Sequence, residues 1–151
     1  RTSSEKGIDF DNINRGKKIH DIFYFINNYN DLNKGIEIAE SKNIIEKKEK
    51  KFYKNFFYNL LQIKNIRKFF SPKDTSFNEV EILSKNGDIY RLDRVVEMGD
   101  NLIYVIDYKT GEIRDSYLKQ IDNYKKMLSE IYLKEIKGVI IYVDLNQTIE
   151  I

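Results

Sequence analysis

The sequence contains no cysteine, one proline and one histidine among its 151 residues. The absence of cysteine excludes disulfides, thiolate zinc sites, cysteine-bound iron–sulfur clusters and a cysteine nucleophile. It fits an intracellular protein, and we expect a cytoplasmic one. No apolar run approaches the roughly 20 residues that a membrane-spanning helix needs, and no stretch resembles a secretory signal. We therefore expect no membrane partner.

The charge is nearly balanced, with 26 Lys and Arg against 24 Asp and Glu and a formal net charge of +2. The total alone indicates no polyanion partner, so a nucleic-acid surface would require local clusters of basic residues. With 41% hydrophobic and 33% charged residues, the composition is typical of one globular domain. The chain starts at Arg1 with polar residues, and we expect residues 1–151 to be a single domain cut from a longer chain.

The spacing of apolar residues predicts helices before Pro72. The first helix has a stripe at i, i+3, i+4 and i+7, formed by Ile19, Ile22, Phe23 and Ile26. Residues 33–41 indicate a short second helix and residues 43–70 a longer one. The apolar face of the longer helix is expected to carry Phe52, Phe56 and Leu60. Its lysine-rich start indicates a solvated face rather than a DNA contact.

After Pro72 the apolar period changes to two, which predicts three strands joined by hairpin turns, at residues 77–84, 88–98 and 101–109. Residues 115–134 have helical spacing, and the apolar run 138–145 indicates a strand buried on both faces beside a parallel neighbour. We therefore predict an α/β fold with a mixed sheet of about four strands, in the order helices-β-β-β-α-β, with extra N-terminal helices.

The end of the third predicted strand carries Asp107 and Lys109 on one face. Asp93 lies on the preceding strand of the hairpin and converges with Asp107 if the register allows. Two carboxylates about 4 Å apart repel by roughly 4 kcal/mol at an effective dielectric of about 20. Such a pair needs a proton, an arginine or a metal ion, and oxygen ligands favour Mg²⁺ or Mn²⁺. The alternative is that both aspartates form ion pairs with Arg91, Arg94 or Lys109, which is the commoner arrangement for this motif alone.

His20 lies at the margin of the first helix's apolar face, one turn after Gly16. Taken alone, it is either a hydrogen-bonded histidine at the edge of the core or a metal ligand. A glycine inside a helix costs about 1 kcal/mol relative to alanine, so Gly16 indicates close approach of a strand or metal. Gln120 and Tyr124 are an i, i+4 pair on the later helix. They are either a solvated residue beside a core aromatic, or a pair that contacts a phosphate or base edge.

Taken in order, the stretches GKKIH, NEVEI, RLDRVV, VIDYKTG and QIDNY resemble the RecB-type nuclease domain of the PD-(D/E)XK superfamily. The resemblance runs from about Arg15 to Leu145, and DYKTG followed by QxxxY is its most specific part. It implies a restriction-endonuclease-like core and metal-dependent hydrolysis of DNA. Tyr90 and Arg91 stand where the family often has glycine. The lack of cysteine is similar to the branch without an iron–sulfur cluster, whose nuclease domain often ends a helicase subunit.

The resemblance also implies roles for individual residues. His20, Asp93 and Asp107 would be metal ligands together with the backbone carbonyl of Tyr108, holding Mg²⁺, with Mn²⁺ as a substitute. Lys109 would be the catalytic lysine, which orients or deprotonates the attacking water or stabilises the transition state as a cation.

Three acidic or polar positions complete the set that the resemblance implies. Glu79 would fill an acidic position on the first strand and contact a second ion, although Glu81 shares its face and competes for the role. Gln120 and Tyr124 would lie near the DNA backbone. Basic residues in RGKK, KNIRK and NYKK would attract phosphates regardless of sequence.

We therefore expect an exonuclease that acts in recombination or repair on DNA ends or on strands unwound by a helicase domain or subunit. The alternative, from another functional class, is a catalytically inactive DNA-binding or regulatory module with the same fold. The presence of Asp93, Asp107 and Lys109 together argues against that alternative. A purely structural interaction domain would leave the ordered motifs unexplained.

Overall fold

The computed structural model describes residues 3–151, and their side chains from residue 11 onward. Arg1 and Thr2, where the predicted domain begins, lie outside the described residues. The chain opens with helices α1 (Ser3–Tyr24), α2 (Leu32–Ser41), α3 (Lys50–Leu60) and α4 (Lys64–Arg67), with 3-10 turns at Tyr29–Asp31, Lys47–Glu49 and Lys68–Phe70. Among the described residues, no helix combines the length and the apolar character needed to cross a membrane.

The first two predicted helices are confirmed as α1 and α2. The predicted stripe of α1 is fully buried, because Ile19, Ile22, Phe23 and Ile26 are each at most 1% exposed. Burial of this stripe against the sheet fixes which side of α1 faces inward, and therefore where His20 points.

The prediction of one long helix over residues 43–70 is wrong. In a continuous helix at 100° per residue, Ile66 would lie on the side opposite Phe57, nine residues earlier. Both side chains are fully buried, so the chain must break between them. The predicted apolar face is correct for Leu60, which is buried, and for Phe56, which packs against the core, but wrong for Phe52, which is 55% exposed while Tyr53 is buried.

The second half of the chain forms one sheet and one helix. The strands are β1 (Thr75–Leu83), β2 (Ile89–Met98), β3 (Leu102–Lys109), β4 (Glu135–Tyr142) and β5 (Gln147–Glu150), and helix α5 is Asp115–Ile131. The strands lie in the order β1-β2-β3-β4-β5. Only β3 and β4 are parallel, because α5 carries the chain back between them. The predicted mixed α/β sheet is therefore confirmed.

The sheet has five strands rather than the predicted four. The missed strand, β5, is the tetrapeptide QTIE, which is too short and too polar to show an apolar period. It forms because it pairs antiparallel with β4, with Tyr142 opposite Gln147. The parallel neighbour predicted for the apolar run 138–145 is β3.

Both faces of the sheet are covered. One face packs against the N-terminal helices through residues such as Phe23, Ile106 and Tyr108, and the other packs against α5 through residues such as Val105 and Ile121. The helix α5 approaches β4 closely at Gly138, where an added Cβ would lie only 2.8 Å from Cγ1 of Ile121.

The guanidinium of Arg94, on β2, is fully buried on the face of the sheet that packs against the N-terminal helices. Its nitrogens donate to the carbonyl oxygens of Phe69 at 3.0 Å and Ile26 at 3.1 Å, and to Oδ1 of Asn78 at 3.0 Å. Its Cζ also lies 4.2 Å from the centroid of the Phe70 ring. Arg94 thus joins β2 to the end of α1, to β1 and to the segment that precedes β1.

Replacement of Arg94 by methionine should strongly destabilise the fold. The carbonyl groups that accept from Arg94 would stay buried without donors, at about 1–3 kcal/mol each. We expect the free energy of unfolding to fall by about 3 kcal/mol or more in urea denaturation. Arg91→Met, on the same strand at a position 63% exposed, is the control and should leave the urea midpoint nearly unchanged. Equal losses in the two variants would contradict this role for Arg94.

Candidate active site

The candidate site lies where β2 and β3 separate. Their pairing extends to Arg94 opposite Ile106, and one further step in this register brings Asp93 opposite Asp107. At that step the backbone ladder stops, and the amide of Tyr108 donates instead to Oδ2 of Asp93 at 2.9 Å. The strand end therefore holds two carboxyl groups that are close enough for each to shift the pKa of the other. The convergence expected from the hairpin is present.

The two carboxyl groups have opposite pKa shifts. Burial and the negative charge of Asp93 raise the pKa of Asp107 to about 7. Burial would also raise the pKa of Asp93, but the hydrogen bond and charge of His20 outweigh it and lower that pKa below its usual value. Asp107 is therefore only partly ionised near neutral pH, whereas Asp93 is ionised.

Lys109 is the cation that contacts Asp107. Its Nζ lies 2.9 Å from Oδ2 of Asp107. That oxygen is buried, and no described residue offers it a correctly oriented hydrogen-bond donor. The alternative prediction is wrong for the two arginines, because Arg91 donates to Glu81 at 2.9 Å and Arg94 is bound on the other face of the sheet. Of the three candidate partners, only Lys109 forms the ion pair.

His20 reaches the site from α1. Its Nδ1 lies 2.9 Å from the carbonyl oxygen of Gly16, and its Nε2 lies 2.9 Å from the carbonyl oxygen of Tyr108 and 3.3 Å from Oδ2 of Asp93. Because both ring nitrogens face oxygen acceptors, this arrangement suits the doubly protonated ring. Burial would lower the pKa of His20, but Asp93 outweighs burial and raises it to about 9. The histidine is hydrogen-bonded and also touches two of the groups predicted as metal ligands.

Gly16 permits the close approach that its position in the helix predicted. A Cβ at Gly16 would lie 3.2 Å from Oγ1 of Thr110, the residue that follows β3. The turn is held further by Asp144, whose Oδ2 accepts from the amide of Gly111 and from Nη1 of Arg15, both at 3.1 Å. The end of β3 is therefore fastened to the helix that carries His20.

Gln120 and Tyr124 approach from α5 on the other side. Nε2 of Gln120 donates to the hydroxyl of Tyr124 at 2.9 Å. Tyr124 is buried, and burial together with the charge of Asp107 raises its pKa. Tyr124 is thus a core aromatic whose hydroxyl end is near the carboxyl pair, and Gln120 holds that end. Their predicted contact with DNA stays a prediction.

The structure distinguishes Glu79 from Glu81. Glu79 has a φ of 54°, in the left-handed region that non-glycine residues rarely adopt. Its side chain is 24% exposed, and burial and the charge of Asp93 raise its pKa. Glu81 is 59% exposed and pairs with Arg91. Glu79 is therefore the one whose carboxyl group senses the charge of Asp93, although both glutamates line the same open cavity of about 480 Å³.

One contact in the site was missed from the sequence. The ring of Tyr117 lies with its centroid 4.6 Å from Nζ of Lys109. The helical spacing of residues 115–134 gives Tyr117 no role at the site. Its position three residues before Gln120, on the same helical face, was the signal that would have placed it near the site.

Within the described residues, no group of three or more His, Cys, Asp or Glu side chains has the arrangement of a metal centre. The Mg²⁺ site at His20, Asp93 and Asp107 therefore stays a prediction. A scan against protein-family models and a search of curated protein sequences find no match for this chain.

The raised pKa of Asp107 predicts how Asp107→Asn changes stability with pH. Because the folded state keeps a proton that the unfolded chain releases near pH 4, this site loses stability as the pH rises from about 4 to about 7. The slope is at most about 1.4 kcal/mol per pH unit. The asparagine side chain stays neutral, so the free energy of unfolding of the variant should rise relative to that of the wild type from about pH 4 to about pH 7. Urea denaturation with EDTA from about pH 4 to about pH 8 measures the difference.

Asp144→Asn is the control of opposite sign. The hydrogen bond from Arg15 lowers the pKa of Asp144, so its carboxylate adds stability above its usual pKa. This variant should lose stability relative to the wild type at about pH 8. A stability difference between Asp107→Asn and the wild type that does not change with pH would contradict the assigned proton.

Proposed function

We propose that this chain is a divalent-metal-dependent DNA nuclease domain of the RecB type, with a restriction-endonuclease-like core. The observation that carries the proposal is the convergence of His20, Asp93, Asp107 and the carbonyl of Tyr108 at one strand end, with Lys109 beside them. The antiparallel β1–β2–β3 meander, followed by α5 and the parallel strand β4, supports the proposed core.

Two separations within this set, both from Nε2 of His20, are compatible with the ligand spacing of a small octahedral cation. Adjacent ligands of Mg²⁺, with bonds of about 2.1 Å, lie about 3 Å apart. Nε2 of His20 is 2.9 Å from the Tyr108 carbonyl oxygen and 3.3 Å from the Asp93 carboxylate. The buried Oδ2 of Asp107 is a further oxygen without a hydrogen-bond donor of correct orientation among the described residues. Binding would require loss of the Nε2 proton, because His ligands are neutral.

The ion would polarise a water molecule and neutralise charge on a non-bridging phosphate oxygen. Lys109 supports this chemistry as a cation. Burial would lower the pKa of Lys109, but the charge of Asp107 outweighs burial and raises it. A protonated lysine orients water and stabilises negative charge on the phosphoryl group, whereas a general base would need a lowered pKa. We therefore assign Lys109 the electrostatic role.

The basic residues predicted to attract phosphates differ in whether an acidic side chain already pairs with them. In RGKK, Arg15 pairs with Asp144, and Lys18 lies 3.0 Å from Glu49. Lys17 is exposed and has no ion-pair partner among the described residues. It lines an open cavity of about 480 Å³ beside His20. Lys17 is thus the residue of this stretch best placed to attract a phosphate near the site.

DNA ends or unwound strands are the proposed substrates, and a helicase domain or subunit is the proposed partner. Gln120 and Tyr124 would contact the DNA backbone, and Glu79 would contact a second ion. The proposal keeps Mg²⁺ as the cofactor, with Mn²⁺ as a substitute.

Calorimetric titration with Mn²⁺ and cleavage of linear single- and double-stranded DNA test the proposal. The wild type should bind Mn²⁺ and cleave, and Asp107→Ala should lose both properties. Lys109→Ala should retain binding but cleave roughly 100-fold more slowly or worse, because charge stabilisation is lost. Glu81→Ala, at an exposed carboxylate on β1, is the control and should match the wild type.

Two results would decide against parts of the proposal. Unchanged Mn²⁺ binding by Asp107→Ala would remove the metal assignment. Mn²⁺ binding that requires Asp107, with no cleavage by the wild type even when its helicase partner delivers the DNA, would favour the inactive DNA-binding module.

A further inference from the structure

We propose that Tyr117 is a positioning residue that holds the ammonium group of Lys109 in place through the face of its ring. The effect on catalysis rests on the proposed nuclease function, whereas the contact between Tyr117 and Lys109 does not. It concerns how the lysine, a flexible point charge with three donors, is held in one position.

Asp107 alone does not orient the ammonium group. Nζ of Lys109 lies 2.9 Å from Oδ2 of Asp107, but that oxygen accepts no correctly oriented hydrogen bond from the described residues. An ion pair of this kind limits the distance between the charges and leaves their direction free. A second contact is needed to fix the direction of Nζ.

The ring of Tyr117 supplies the second contact. Its centroid is 4.6 Å from Nζ of Lys109, within the range at which an aromatic face attracts a cation. The Lys109 side chain is 20% exposed, so the contact is partly shielded from water. Lys109 is therefore held between a carboxylate and a ring.

The ring is itself held in place. Tyr117 lies in the first turn of α5, and the centroid of its ring lies 6.4 Å from that of the Tyr142 ring. Tyr142 is fully buried on β4, directly beside Lys109 in the parallel ladder. The strand that neighbours Lys109 thus supports the residue that faces its side chain.

The contact would matter most when Asp107 is engaged elsewhere. If an oxygen of Asp107 binds a metal, its attraction for Lys109 weakens, and the ring of Tyr117 remains. Tyr117 makes no contact with His20 or Asp93 among those described, so its replacement should change the rate of the chemical step and leave metal binding intact.

The test compares Tyr117→Phe with Tyr117→Leu. Phenylalanine keeps the ring, so its kcat on linear single-stranded DNA should stay within about two-fold of the wild type. Leucine removes the ring, and kcat should fall roughly ten-fold. KM and the Mn²⁺ dissociation constant should stay unchanged in both variants. Tyr132→Leu, at the opposite end of α5, is the control for loss of a tyrosine and should behave as the wild type.

A double-mutant cycle assigns the effect to Lys109. In the Lys109→Ala background, Tyr117→Leu should cause no further loss of kcat, because the residue it positions is gone. An equal fall in Tyr117→Phe and Tyr117→Leu, or an undiminished fall in the Lys109→Ala background, would overturn the proposal.

A spectroscopic readout separates this inference from the nuclease proposal. Protons on Cε of Lys109 over a ring face should resonate upfield, and Lys109→Ala identifies their signals by removing them. Tyr117→Phe should keep the upfield shift and Tyr117→Leu should abolish it, whether or not the wild type cleaves DNA. Absence of an upfield shift in the wild type would refute the contact even if nuclease activity is found.

Discussion

The hydrogen bonds of the buried Arg94 guanidinium are the interaction on which the rest of the structure depends. It donates to carbonyl oxygens at the end of α1 and before β1, and so holds the helical segment against β2. Neighbouring residues of a strand point to opposite faces. Because Arg94 is held on the face covered by the N-terminal helices, the side chain of Asp93 must point to the opposite face, at the position where β2 separates from β3. The hydrogen bonds of Arg94 on one face of the sheet thus hold the strand end that carries the candidate site on the other face.

At that strand end the charges stabilise one another. Two carboxyl groups are buried together, and their repulsion is offset by partial protonation of Asp107, by the His20 ring beside Asp93 and by the ammonium group of Lys109 beside Asp107. Buried charges are costly when a partner is removed. A divalent cation would replace the two protons, on Asp107 and on Nε2 of His20, by one ion.

Much of the fold was predictable from local patterns, and the errors have physical causes. The change of apolar period near Pro72 and the continuous apolar run of β4 were sufficient to predict the mixed sheet. The break between α3 and α4 was missed because only tertiary packing requires Phe57 and Ile66 to face inward together. The strand β5 was missed because its four residues form a strand only through pairing with β4.

The candidate site divides in the same way. The sequence by itself determined which chemical groups are present: one histidine, the aspartates of two adjacent strands, and a lysine two residues after the second. The tertiary structure alone decided that Lys109 rather than Arg91 or Arg94 pairs with Asp107, and that Tyr117 faces Lys109. The reason is that periodicity specifies the face on which a residue lies. The partners on that face depend on strand register, on backbone twist and on which helix covers the face.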